Sequence, residues 1–353
     1  METGDKRAGK RVKKGRRSRS ETVPSLNDLF EVFYEAKEAE GRSQRTLKQY
    51  RENYRYFVKY LEVKQIGCTI NAITTDVVRK YIVYMMKEIV QFEEHKYKPV
   101  NSEEVIGLSP VTINTRLKTL RVWFQFLEEE GLVDKNPMKS IKNVTEDEEQ
   151  IEVLTVEELD ALLRIPNQRE YSEFRDYVLM TVLLDGMIRI SETLALQVSD
   201  IDFQSQVIMI QAKNAKSRKA RMIPIQKQTV QLLKELIAEN EEFETNYVFL
   251  TNYGAQMQSN HFRKRLKAYA EKAGITKNVH PHLFRHTSAT IFLESGGDIR
   301  HLQMLLGHAD LRMVIRYTHL SNKALIEQHK QYSAMRQLGN KGQRKKRKTS
   351  RQF

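Results

Sequence analysis

Residues 281–290 read Pro281-His282-Leu283-Phe284-Arg285-His286-Thr287-Ser288-Ala289-Thr290. Proline suits the first position of a helix, where its missing N–H would have no partner, so this stretch predicts a helix opening at Pro281. His282 and His286 stand at i, i+4 on one face, and eight of the nine histidines lie after residue 260, which raises a metal site first. The spacing argues against it. A zinc hydrolase on such a helix wants glutamate directly after the first histidine, and Leu283 is there instead. Arg285, between the two imidazoles, would repel a cation, and the single cysteine, Cys68, is far away in sequence. An arginine flanked by histidines suits an anion better.

Four more segments of the same half carry reactive side chains. They are Arg189-Ile190-Ser191-Glu192, the lysines Lys213, Lys216 and Lys219, Leu306-Gly307-His308, and Tyr317 nine residues further on. Each alone has an ordinary reading: a surface ion-pair arginine, turn lysines, a helix-capping glycine, one packing tyrosine among 15. Their order and spacing lift the set above chance.

Together they resemble the tyrosine recombinase (phage integrase) family, whose pattern runs Arg, Lys, His-x-x-Arg, His or Trp, and Tyr. Residues 183–192 resemble its first arginine box, and residues 215–224 its lysine hairpin, with the family lysine at Lys216 and Lys213 as a rival. Residues 281–290 resemble its Pro-His-x-Leu-Arg-His segment, and residues 306–319 its Leu-Gly-His…Tyr-Thr-His close. Leu154, Thr155 and Glu157-Glu158 fit the opening patch of its catalytic domain. Ser109-Pro110, Thr112-Ile113-Asn114 and Asn136-Pro137 resemble its helical core-binding domain and linker. Three departures stand out. The glycine before the first arginine is displaced by one position (Gly186-Met187-Ile188-Arg189), Phe284 replaces a usual leucine, and the loop at 92–108 is long.

The resemblance implies a mainly α chain: an α+β catalytic domain with a small β-sheet or hairpin, and an all-α, SAM-like core-binding domain, closing as a C-shaped clamp on DNA. The pattern along the chain agrees. Apolar residues at helical spacing predict helices over 26–38 and 44–62, from Thr75 as N-cap, and from Ser109-Pro110 to a stop at Gly131. The aromatic stripes there read as core. The expected organisation is a basic disordered tail (1–24), a core-binding domain (25–131), a linker (132–150), a catalytic domain (151–340) and a basic tail (341–353). Thr155 and Glu158 predict a capping box. Residues 207–211 and 221–225 predict a hairpin, 247–250 a short strand, and helices resume to about residue 335.

The 353 residues carry a net charge of +14, and its location matters more than its size. Nine basic against three acidic residues at 1–24, and seven basic with no acid at 341–353, leave the body nearly neutral. Such arms suit attraction to a polyanion and, equally, a pair of solvated ends. No apolar run approaches a membrane span of roughly 18 residues, and the basic N-terminus lacks the apolar stretch of a secretory signal. One cysteine allows no intrachain disulfide, which suits a reducing compartment and a cytoplasmic location, near the nucleoid of a bacterial or phage-infected cell.

For activity, the resemblance implies site-specific cleavage and rejoining of double-stranded DNA through a 3′-phosphotyrosyl intermediate and a Holliday junction, with neither metal, ATP nor other cofactor. Tyr317 would be the nucleophile, Arg189 and Arg285 the phosphate clamps, His308 a further donor, His282 the general base and Lys216 the acid for the leaving 5′-oxygen. Glu192 would orient a clamp or a histidine, or else be a plain helix-surface glutamate, and His286 would be structural. The pattern of residues 321–334 predicts an amphipathic helix that, by the resemblance, would dock on a neighbouring protomer to make a homotetramer on DNA. An accessory directionality protein would fit the same scheme. Two other readings share the chemistry or the fold: a type IB topoisomerase, and a DNA-binding regulator that does not cut, for which Tyr317 would be superfluous.

Overall fold

The computed structural model describes residues 25–90, 105–146, 152–215 and 218–307. The chain divides into two compact units at residues 149 and 150.

In the first unit the described helices are α1 (Leu26–Ala39), α2 (Gln44–Val63), α3 (Thr75–Lys87) and α4 (Pro110–Glu129). Their starts are chemically marked. Ser25 and Asp28 form a reciprocal capping box on α1, and Ser43 and Ser109 accept from the backbone N–H of the third residue of α2 and α4. Thr74, one residue before the expected cap, holds the start of α3, because its hydroxyl accepts from Val77 N–H. Gly131 ends α4 in the left-handed region at φ +67°, as its position predicts. The aromatic stripes are core: Phe30 stacks on Tyr54 at 3.9 Å between centroids, and Trp123 meets Tyr54 edge-on at 5.2 Å.

Residues 132–146, read from sequence as linker, run back along α4. Met138 and Ile141 are buried in the first core. Asn114 holds its far end, donating to Val144 O and accepting from Val144 N, both at 2.9 Å.

The second unit comprises α5 (Val156–Leu163), α6 (Tyr171–Gly186), the single turn α7 (Ile190–Thr193), β1 (Ile201–Asp202), β2 (Val207–Ile210), β3 (Arg221–Pro224), α8 (Lys227–Glu239), α9 (Ser259–Lys272), α10 (Pro281–Glu294) and α11 (Ile299–Leu306). Helix α6 is buried nearly all round and packs against α8 and α10. Beside it lies an antiparallel sheet in the order β1-β2-β3. Ile208 pairs with Ile223 on its inner face, while Met209 and Met222 pair on the outer face. The hairpin is where the sequence predicts it. The two-residue β1 is too short to leave a periodic signal. Residues 247–250 make isolated bridges, Tyr247 with Gln197 and Leu250 with Gln256, rather than a strand. Among the described residues, no helix is long and apolar enough to cross a membrane.

Candidate active site

Helix α6 delivers the first arginine through a strained turn. Met187 follows it in the left-handed conformation, φ +49° and ψ +31°, where a side chain costs on the order of 1–2 kcal/mol. The preceding residue has to be the glycine: a Cβ on Gly186 would lie 2.9 Å from the Ile188 side chain and 3.2 Å from Ile223. The displaced glycine therefore serves close packing, and a methionine absorbs the left-handed turn. That turn brings the Met187 carbonyl to Arg285, whose Nη1 donates to it at 2.6 Å.

Arg285, on α10, is only 4% exposed. Its Nη2 donates to Leu306 O at the end of α11, so one guanidinium joins the first arginine box to the segment leading to residue 308. Leu154 N–H donates to Thr287 Oγ1, which ties the start of the unit to the same helix.

Arg189 precedes α7. Its Nη1 donates to Glu192 Oε1 at 3.0 Å and its backbone N–H to Oε2 at 3.2 Å. Glu192 is thus a buried carboxylate that orients Arg189, not a surface residue. A second cation, which the sequence reading did not single out, meets it from β3: Arg221 Nη2 donates to Oε2 at 2.6 Å and Nη1 to Oε1 at 3.3 Å. The signal was present, since Arg221 shares a strand face with the buried Ile223. Burial alone would raise the Glu192 carboxyl, but hydrogen bonding and charge from Arg221, then the charge of Arg189, hold it below its ordinary value.

His282 lies in the first turn of α10 with its side chain still reaching solvent. Partial desolvation first, then the neighbouring His280 and the charges of Arg285, Arg263 and Arg189, push its imidazole below 6.5. It is therefore largely neutral at pH 7, the form that accepts a proton.

The structure thus brings together Arg189, His282 and Arg285, with Glu192 and Arg221 supporting them. Lys213 is exposed on the hairpin turn. Lys216, His308 and Tyr317 lie outside the described residues. Among the described residues, no group of three or more His, Cys, Asp or Glu is placed to hold a metal ion. Two guanidiniums, those of Arg189 and Arg221, share one carboxylate, and Arg285 donates only to carbonyls in the described bonds, leaving a cationic surplus that suits an anion.

Residues 152–324 match the model of the phage integrase family, and residues 25–144 that of the phage integrase SAM-like domain. The tyrosine recombinase XerD of Listeria monocytogenes is 27% identical over 314 residues, covering 87% of this chain and 99% of the relative. The tyrosine recombinase XerC of Chlamydia trachomatis is 32% identical over 222 residues, 62% of this chain and 70% of the relative. Among solved structures, the Tn1549 transposon integrase in complex with transposon right end DNA aligns at a TM-score of 0.65 and 21% identity, over 88% of this chain and 100% of the other. The XerH site-specific recombinase bound to its difH substrate also aligns at 0.65, with 20% identity, over 86% of this chain and 84% of the other.

Proposed function

The chain belongs to the phage integrase family of tyrosine recombinases, and from that premise we propose that it is a site-specific DNA recombinase whose cleavage centre is built on Arg189, Lys216, His282, Arg285, His308 and Tyr317. The observation that carries this reading is that Arg285 holds the Met187 carbonyl, two residues before Arg189, with His282 in the first turn of the same helix as Arg285.

The chemistry follows from charge. The Tyr317 phenol gives its proton to His282 and attacks a DNA phosphorus. The P–O5′ bond breaks, the phosphotyrosyl bond forms, and Lys216 protonates the departing 5′-oxygen. The diester is exchanged, not hydrolysed, so its energy is kept for rejoining when a 5′-hydroxyl attacks in reverse. The transition state carries more negative charge on the phosphoryl oxygens than the diester. Two fixed guanidiniums and His308 oppose that charge at no reorganisation cost. The permanent charge of arginine serves here better than lysine, because it survives desolvation.

Most affinity would come from phosphate contacts and fall steeply with salt. Residues 321–334 would join protomers into a homotetramer on two sites, and an accessory protein would set direction. With DNA as substrate, the protein would work in the cytoplasm, near the nucleoid.

The direct test is a nicked duplex carrying a site selected by binding from a random-sequence pool. The nick lets the cleaved fragment diffuse away and traps the covalent complex. The expected result is a complex that survives SDS, with Tyr317 in the DNA-linked peptide. No complex, or linkage through another residue, would overturn the reading.

The depressed His282 pKa gives a second test, with its sign. A base neutral above its pKa predicts a single-turnover cleavage rate that is flat near pH 7 and falls about tenfold per pH unit on an acid limb centred below 6.5. The same shift makes the native state bind a proton less readily than the unfolded chain, so His282 favours unfolding as pH falls through 6.5. An acid limb centred above 6.5, or an unchanged limb in His282→Asn, would remove His282 as the base.

A further inference from the structure

We propose that Arg221 is a positioning residue of DNA cleavage: it neutralises Glu192 so that Arg189 keeps donors for the phosphate, and it fixes the lysine hairpin against the end of α11. The proposal rests on the recombinase reading above.

Glu192 is fully buried and carries one negative charge. A buried carboxylate facing a single arginine draws both arms of its fork, and the charge of that arginine is then spent. Here the fork belongs to Arg221, which reaches both oxygens. Among the described contacts, the Arg189 side chain gives only Nη1 to Glu192, leaving Nη2 and Nε for another acceptor. Exposure follows the same division: the Arg189 side chain is 16% exposed and that of Arg221 9%. The outer cation is the one able to meet DNA.

Arg221 is also held on its other side. Its Nε donates to Leu305 O at 3.1 Å, one residue before the carbonyl that Arg285 takes. A Cβ on Gly307 would stand 3.0 Å from Arg221 Cδ and 3.1 Å from Nε, and Gly307 is left-handed at φ +61°. Residue 307 is thus glycine both for its backbone and for the arginine lying on it. Strand β3 follows directly on the hairpin of Lys216, and Gly307 directly precedes His308. A single guanidinium therefore sets three segments of the site against one another, from the hairpin, the first arginine box and the end of α11.

A plain stabilising ion pair would weaken folding and DNA binding together when removed. A positioning residue would slow the chemical step while bound DNA stays bound. The experiment uses the full chain and the nicked duplexes described above, with dissociation constants, single-turnover adduct rates and urea midpoints measured in parallel. Arg221→Met is expected to slow adduct formation about 10²-fold while affinity stays within about threefold of wild type. Arg221→Lys restores part of the rate, since it keeps the charge but loses the fork. Adding Glu192→Gln to Arg221→Met should recover about tenfold, because removing the buried negative charge releases Arg189 again.

Adduct formation by Arg221→Met within about threefold of wild type would overturn the proposal, as would a double variant no faster than the single one. Parallel loss of rate, affinity and urea midpoint would reduce Arg221 to a structural pair. If Arg221→Met fails to fold, Arg221→Lys decides, and a wild-type rate there overturns the proposal. Absence of adduct with the wild-type protein would count against the recombinase reading itself.

Discussion

Arg285→Met is expected to slow single-turnover cleavage by about 10²–10³-fold, the cost of one preorganised donor to a charged transition state. The site explains why the loss should be no smaller. Arg285 is buried, and its Nη1 and Nη2 fasten two carbonyls, Met187 O and Leu306 O, that belong to different catalytic segments. On the proposed reading, removal takes away a positive charge that would oppose the phosphate. It also orphans two buried acceptors, each costing about 1–3 kcal/mol. Arg285→Lys should rescue little, because a single ammonium cannot span both carbonyls and still face an oxyanion. The urea midpoint should fall together with the rate, which separates Arg285 from Arg221, where the rate should fall further than stability. The checks are adduct accumulation on nicked duplex at saturating protein and urea unfolding of each variant. An Arg285→Met protein that cleaves within about tenfold of wild type would show that the clamp lies elsewhere.

The parts of this architecture visible in the sequence are those written in local chemistry. Ser109 followed by Pro110 announces the start of α4, and the alternation around Ile208 and Ile223 announces the hairpin. The choice between Thr74 and Thr75 as cap is not visible, because either hydroxyl could serve and only the backbone decides. The role of Gly186 is equally hidden, because the reason for its shift is a contact with Ile223, 37 positions away. Arg189, His282 and Arg285 were legible as a set through order and spacing. The pairing of Arg221 with Glu192 was not, because it joins positions 29 apart, and a glutamate three residues after an arginine reads nearly as well as a surface residue as it does as an orienting carboxylate. The linker shows the limit from the other side. Polar composition suggests an exposed connection over 132–150, yet Met138 and Ile141 are enough to lay its first part on α4.

The largest expected effect on stability lies outside the site, in a charge cluster that composition could not reveal. Asp176 is fully buried on α6 beside Arg175, which is 1% exposed. Arg175 donates through Nε and Nη2 to Asp176 Oδ1 at 3.1 and 2.8 Å, and through Nη1 to Leu250 O at 2.7 Å. Arg265, on α9, reaches Oδ2 of the same carboxylate, and the Tyr269 hydroxyl donates to it at 2.9 Å. Burial first, and then the Asp176 charge, push the Tyr269 phenol well above its ordinary value, so it remains a donor at any working pH. One carboxylate thus answers two guanidiniums and a phenol. Asp176→Ala would leave Arg175 charged and buried with no counter-ion, a change that costs about 3–5 kcal/mol. Against a typical domain stability of about 5–15 kcal/mol, that is a large share, and urea unfolding of the C-terminal unit should shift accordingly. Asp176→Asn should cost less, because the amide still accepts. Arg175→Met combined with Asp176→Leu should recover most of the loss, since a buried ion pair gains little over apolar packing of similar volume. Helix α6 also ends at the turn that carries Met187 to Arg285, so a loosened Asp176 cluster should slow cleavage as well, but only as far as the unit unfolds. A shift below about 1 kcal/mol for Asp176→Ala would mean that Arg175 finds water or another partner in its absence, and the cluster would then lose its place as the anchor of the catalytic unit.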